Sequence, residues 1–457
     1  MKAQQKQPNI LFIAIDDLRP QLNAYGLNHM ITPNLDALAA KGRLFKNHFA
    51  QVPTCGPSRA VMLTGQNLKS KKEIYHPYLG NKLANQPETE NPETFIHHLK
   101  QNGYYTVGMG KISHSISGKR KKAYELPYSW DTFISNKDGY QMYASGAKRN
   151  KKVTPPFEML KVSDETYPDG RLAQLAIKEL EKRATSDKPF FMAVGFLRPH
   201  LPFSAPKKYW DLYNRKEIPL SPNPDAPKDV ADEFLHPSSE FFGQYYSPEK
   251  GGVRKRISDA YAKKVIHANF ASVSYVDAQV GKVLNKLKEL GLDKNTIVVV
   301  WGDHGWHLGD QTIWGKHSAF ENALKSTMIV KTHKMKKAGK ATESLIATVD
   351  VYPTICELAG VSKPVGLDGK SFVSILNNPK KKTRDAVLSY WRDVVSLRTD
   401  RYRFAVYNDG KSQEMMLFDH QKDPNETENI ATKHPEVITN LLPLLKKMNK
   451  GYLPDLK

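Results

Sequence analysis

Apolar positions along the chain follow two rhythms that alternate. Asn9-Ile10-Leu11-Phe12-Ile13-Ala14-Ile15 is an unbroken apolar, β-branched run that stops at Asp16-Asp17. A run of that kind predicts a strand covered on both faces of a parallel sheet, where neither side needs polar residues. Thr296-Ile297-Val298-Val299-Val300-Trp301 repeats the pattern and stops at Gly302-Asp303. Between them the spacing turns helical. Thr32 caps, Pro33 takes the first helical position, and an amphipathic stretch from Asn34 closes at Gly42. Further helices are predicted over Thr94 to Gln101, Leu172 to Ala184 and about Asp259 to Leu290, with strands over Tyr104 to Met109 and Pro189 to Gly195.

Strand followed by helix, repeated, predicts an α/β fold: a mostly parallel mixed sheet sandwiched by helices. Ligands in such folds sit beyond the carboxyl ends of the strands. After the Asn-Pro-Lys stretch around residue 379 the pattern changes to short strands, Val387 to Trp391, Ser396 to Arg398 and Arg401 to Tyr407, then a helix from about Pro435. The expected organisation is a catalytic domain over 1–378 and a smaller C-terminal α+β subdomain with an antiparallel sheet over 379–457.

Composition narrows the picture. No apolar run approaches the roughly eighteen residues of a membrane span. Lys and Arg outnumber Asp and Glu, 68 to 47, so the surface attracts polyanions and repels cationic partners. The Lys-rich clusters Lys119 to Lys122, Lys334 to Lys337 and Lys380 to Arg384 are not interleaved with aromatics, which argues against a nucleic-acid partner and leaves solvated faces or polyanion steering. With two cysteines, Cys55 and Cys356, no disulfide framework follows. Cys356, in a short helix ending at Gly360, reads as a core thiol. Met1 to Pro8 lack the apolar stretch of a secretory signal, so a cytoplasmic chain and a mature exported one both stay open.

The chemistry lies at two strand ends and one helix start. Asp16-Asp17 and Asp303-His304 would converge if both strands are central, and clustered carboxylates repel without a cation. Oxygen-rich ligation favours Ca²⁺ or Mg²⁺ over zinc; taken singly, such pairs are often only turn and cap residues. In Val52-Pro53-Thr54-Cys55-Gly56-Pro57-Ser58-Arg59-Ala60-Val61-Met62, Pro57 and Ser58 open a helix, so Cys55 stands just before a helix N-terminus that favours an anion. Arg59, one turn on, adds a fixed fork for an oxyanion.

Cys55-Gly56-Pro57-Ser58-Arg59, continued by Thr64-Gly65, resembles the Cys-x-Pro-Ser-Arg signature of the formylglycine-dependent sulfatases in the alkaline-phosphatase superfamily. The resemblance extends in family order through Gly108-Met109-Gly110-Lys111-Ile112-Ser113-His114, Arg198-Pro199-His200-Leu201-Pro202-Phe203, Gly302-Asp303-His304-Gly305-Trp306-His307, Trp314-Gly315-Lys316-His317-Ser318 and Leu417-Phe418-Asp419 to Glu426. The Asp-His pair and the Arg-Pro-His segment are most similar to the iduronate-2-sulfatase branch. The resemblance implies that Cys55 is oxidised by a formylglycine-generating maturation enzyme and that Asp16, Asp17, Asp303, His304 and an oxygen of modified Cys55 hold one Ca²⁺. It implies that Arg59, Lys111 and Lys316 neutralise the sulfate, that His114 takes the proton that regenerates the aldehyde, and that His200 protonates the leaving sugar oxygen. Trp306, His307, Trp314 and His317, around the metal motif, are candidates for the sugar subsite, with core packing as the plain alternative for the tryptophans.

The expected function is therefore hydrolysis of a sulfate ester on an acidic sugar, such as a 2-O-sulfated uronic acid of ulvan or a glycosaminoglycan, by a periplasmic or secreted enzyme. Two other readings stand beside it: a phosphodiesterase or phosphonate hydrolase of the same superfamily, and a noncatalytic polyanion-binding relative.

Overall fold

The computed structural model describes residues 7–74, 93–120, 123–135, 140–333 and 335–453; Lys121, Lys122 and Lys334 of the basic clusters and the first six residues of the polar start lie outside them. The fold is the α/β sandwich expected. An eight-stranded sheet runs, in spatial order, Thr342–Ala347, Arg43–Phe49, Met328–Lys331, Thr296–Gly302, Asn9–Ile15, Phe190–Phe196, Tyr105–Gly110 and Thr132–Ile134. Asn9–Ile15 is central, parallel to Thr296–Gly302 on one side and Phe190–Phe196 on the other. Tyr105–Gly110 and Thr132–Ile134 continue in parallel, whereas Met328–Lys331 runs against both its neighbours, which makes the sheet mixed.

The unbroken apolar runs are explained by two cores. Leu11, Ile13, Ile15, Val298 and Val300 face one cluster, packed with the helices Pro33–Lys41, Pro168–Ala184 and Asp259–Glu289. Ile10, Phe12, Ala14, Ile297, Val299 and Trp301 face the other, with Phe95–Gln101 and Val351–Ala359. Each of the branched and aromatic side chains among them contributes about 1.5–3 kcal/mol by leaving water. Cys356 is fully buried in the second cluster, the core thiol expected.

Helix starts follow their caps. Ser258 Oγ accepts from the Tyr261 amide at 3.2 Å, and Thr94 Oγ1 from that of His97, also at 3.2 Å. Pro168 begins its helix a turn before the apolar pattern does, because proline suits the first helical position.

A four-stranded antiparallel sheet, Ala386–Trp391, Val394–Thr399, Tyr402–Asn408 and Gln413–Asp419, follows, with the helix Pro435–Asn449 against it. Its core is shared with the main sheet: Val387, Leu397 and Phe404 pack with Phe49, Val61 and Leu345. A buried ionic network adds to the join. Glu321 pairs with Arg398 at 3.0 Å and with Arg403, and Arg403 with Glu426 at 2.7 Å.

Candidate active site

The register of the central strands sets the site. Ile15 lies opposite Gly302 and Phe196, so Asp16 and Asp303 leave the sheet at the same level. Gly110 pairs with Gly195, and a Cβ on either would press to 2.2 Å on a carbonyl of the other's strand or its exit, so only glycines let the strands come this close. The Lys111 amide then donates to Gly195 O at 2.9 Å, and its ammonium reaches Asp16 Oδ2 at 2.6 Å. These carboxyl ends of parallel strands are where the ligand crevice was expected.

The helix Cys55–Thr64 begins at Cys55 itself, a residue or two earlier than the sequence suggested, and all of it is buried. It aims two side chains into the crevice. Cys55 Sγ lies 3.3 Å from Lys316 Nζ, 3.3 Å from His304 Nε2 and 3.9 Å from Asp17 Oδ1. Arg59 donates to Asp303 Oδ2 at 2.9 Å, Asp16 Oδ1 at 3.3 Å and the carbonyls of Lys111 and Ile112, with its guanidinium over Trp301. Ser58 Oγ, from the serine of the signature, ties the helix to Asp303 O at 2.5 Å.

Three carboxylates, Asp16, Asp17 and Asp303, thus face three cations, Arg59, Lys111 and Lys316. Burial works to raise Asp16, but Lys111, His200 and Arg59 outweigh it and hold that carboxyl well below its ordinary value. Asp17 goes the other way: burial raises it well above, and Lys316 offsets this only in part. Burial pushes the Cys55 thiol up to about 12, with Asp16 adding and the two lysines opposing. The helix N-terminus therefore does not make a thiolate here, contrary to the simplest reading of its position. As encoded, Cys55 is a protonated and weak nucleophile at neutral pH.

Asp16, Cys55, Asp303 and His304 offer ligand atoms within 4.8 Å of one another, as do Asp16, Asp17, Cys55 and His200. His304 Nδ1 faces Gly305 O at 3.0 Å, and a carbonyl can only accept. The ring proton therefore belongs on Nδ1, which leaves the Nε2 lone pair facing the cluster, the arrangement of a metal-ligating imidazole. A hard divalent ion fits this donor set, since it would satisfy carboxylates now paired with Lys111 and Lys316.

His200 follows Phe190–Phe196 on a segment fixed by Asp169, which accepts from the Leu197 and Arg198 amides at 2.8 Å each. Its Nδ1 donates to Leu201 O at 2.6 Å, and Nε2 lies 3.4 Å from Glu240 and 4.0 Å from Asp17. Burial first, then Lys316, push His200 down to about 3. Glu240 also sits 3.4 Å from Lys316, and Lys316 and His200 hold its carboxyl well below the usual range against burial. No motif points to Glu240: it lies in a short helix, Ser239–Gln244, remote from all of them along the chain. His114 is on the Lys111 segment, half-buried, its backbone N–H donating to Glu125 at 3.1 Å.

Of the four residues expected to meet a sugar, three are placed as supports. His307 is fully buried, its Nδ1 3.2 Å from Asp310 O and its Nε2 2.7 Å from Ser318 Oγ, so both ring nitrogens are committed. Trp306 lies beneath Lys316 Nζ with its ring edge-on to Phe203, and Trp314 packs beside Phe241 and against Gly309; both belong to the main core. Interleaving with metal ligands along the sequence placed these rings near the site but under it. His317 alone of the four is partly exposed, stacked 4.8 Å from Trp391.

Residues 8–361 match the family model "Sulfatase", and residues 302–451 the model "N-sulphoglucosamine sulphohydrolase, C-terminal". A sulfatase of Formosa agariphila is 30% identical over 97% of this chain and 87% of its own length. The iduronate 2-sulfatase of Mus musculus is 32% identical over 78% of this chain and 69% of its own. Among solved structures, the phosphonate monoester hydrolase of Silicibacter pomeroyi superposes with a TM-score of 0.76 at 22% identity, covering 98% of this chain and 96% of that one.

Proposed function

The chain belongs to the sulfatase family of sulfuric ester hydrolases, and from that premise we propose that it removes sulfate from an acidic sugar, using a formylglycine made from Cys55 by a maturation enzyme and one Ca²⁺ held by Asp16, Asp17, Asp303 and His304. The observation that carries the proposal is the single cluster of Cys55, Arg59, Lys111, Lys316 and these four ligands. Its charges suit an anion beside a cation.

Calcium, when bound, supplies Lewis-acid charge and orients the modified side chain. Hydrated formylglycine would supply the attacking hydroxyl that a protonated thiol does not. Arg59 keeps Asp16 and Asp303 in place, while Lys111 and Lys316 are the cations left to meet the sulfate oxygens once the carboxylates serve the ion. His200 keeps Nε2 toward the crevice. The negative charge of a bound sulfate, added to that of Glu240, raises its proton affinity and lets Nε2 hold a proton for the leaving oxygen. His114 is assigned the proton taken up when the modified side chain is restored. The charge of +21 and the similarity to an iduronate 2-sulfatase support a sulfated uronic acid as substrate, and a periplasmic or secreted location goes with such a substrate.

Calcium binding has a direct readout. At about a hundred times its Kd, a ligand that binds only the folded chain adds about 2.7 kcal/mol of stability. Calcium should therefore raise the melting temperature above that in EDTA, and Asp303→Asn should blunt the rise; equal melting with and without calcium would sink the assignment.

The fold shared with phosphonate monoester hydrolases favours one second reading, a phosphoryl ester hydrolase, because two lysine ammonium groups receive either tetrahedral anion. Rates of the matured enzyme on an aryl sulfate and the matching aryl phosphodiester decide between them. The sulfate should be faster by at least about tenfold, a preference worth about 1.4 kcal/mol; a faster phosphodiester overturns the proposal.

A further inference from the structure

The hairpin that joins Ala386–Trp391 to Val394–Thr399 brings its tip to the crevice, although it comes from the far end of the chain. The path from nucleophile to tip is short. Cys55 Sγ is 3.3 Å from Lys316 Nζ, and the next residue, His317, stacks on Trp391 with ring centroids 4.8 Å apart and planes 8° from parallel. The Arg392 guanidinium covers the same indole, 5.2 Å from its centroid, and His236 meets His317 edge-on at 5.2 Å. Arg392 is exposed and holds φ at +49°, a left-handed conformation that costs a non-glycine residue energy and is kept where the surroundings demand it. Its own carbonyl is gripped by Tyr452 Oη at 3.0 Å. The adjacent carboxylate, Asp393, is already paired with Lys71, and among the described residues no other carboxylate is within ion-pair distance of Arg392. A guanidinium laid on an indole, with no carboxylate partner among the described residues, thus lies on the hairpin that reaches His317, next in the chain to Lys316.

We propose that Arg392 determines specificity by receiving the carboxylate of the uronic acid whose sulfate lies at Cys55, with Trp391 and His317 as the positioning residues that hold it there. The planar fork matches a carboxylate with two parallel hydrogen bonds. The inference rests on the sulfatase reading and names the residue that recognises the acid, which that reading leaves open.

The test compares a 2-O-sulfated uronate disaccharide with its carboxyl-reduced counterpart as substrates of the matured, calcium-loaded enzyme. Arg392→Gly suits the left-handed backbone and keeps the carbonyl that Tyr452 holds, so it removes the guanidinium without strain. It should lower the preference for the acidic disaccharide about tenfold, through KM rather than kcat, and Trp391→Ala should shift the preference the same way. An equal loss on both disaccharides, or no loss, overturns the proposal. A wild-type enzyme that cleaves no sulfate ester overturns the sulfatase mechanism instead. In that event calorimetric binding of the two disaccharides to Cys55→Ala still decides the matter for Arg392: a carboxylate preference that survives Arg392→Gly refutes its role.

Discussion

Cys55→Ala should reduce kcat/KM on an aryl sulfate by about ten-thousandfold or more, the scale of losing a covalent nucleophile, with little change in denaturation midpoint. The side chain is small, and its neighbours Lys316 and His304 keep other partners: Asp17 and Glu240 for the lysine, Gly305 O for the imidazole. Burial pushes the thiol up to about 12, and on the proposed mechanism chemistry at neutral pH depends on what Cys55 becomes and not on what is encoded. Mass spectrometry of the Cys55 peptide in active wild-type protein should accordingly show the oxidised form. An active preparation whose Cys55 is wholly thiol, or an alanine variant retaining a tenth of the rate, would refute the assignment.

Arg59→Met should be the most damaging substitution for stability. The guanidinium has no solvent exposure and compensates Asp303 and Asp16 together. Methionine fills much of the volume but leaves buried carboxylates short of a partner, a loss of about 3–5 kcal/mol where a buried pair is broken. Against a typical total of about 5–15 kcal/mol, that is a large fraction. Urea denaturation of the calcium-free protein gives the measurement, and an unchanged midpoint would mean that Lys111 and Lys316 already neutralise the site. Activity should fall as well, since Arg59 fixes both strand-end carboxylates.

The strands that carry the chemistry were legible because they are buried on both faces and consist of little but apolar residues. Arg43–Phe49 was not. Arg43 is fully buried there, donating to the carbonyls of Lys336, Lys337 and Leu376, and His48 is buried between Ser326 and Thr348. Polar residues satisfied only by groups far away in the sequence break any periodicity that can be read locally. Met328–Lys331 is too short and Thr342–Ala347 too mixed in pattern to announce themselves. Gln413–Asp419 opens on Gln413 and Glu414, which hides the fourth strand of the second sheet. In the site, residues next to a motif were found and those brought by tertiary folding were missed. Glu240 comes from a six-residue helix and Trp391 from the second sheet, and neither position carries a local signal of its neighbours. Sequence adjacency to a motif also says nothing of depth: His307, beside the metal ligands in the chain, is fully buried.

The depth of Cys55 also sets an order of events. At 2% exposure, at the start of a wholly buried helix and walled by strand ends that are far apart in the sequence, its sulfur is out of reach of another enzyme's active site once the sheet has assembled. Any catalyst that oxidises it must therefore meet the chain before those strands close over it. On the proposed mechanism maturation and folding then compete in time, and the active fraction of a preparation is set during synthesis: slower folding or more maturation enzyme should increase it, and treatment of the finished protein should not.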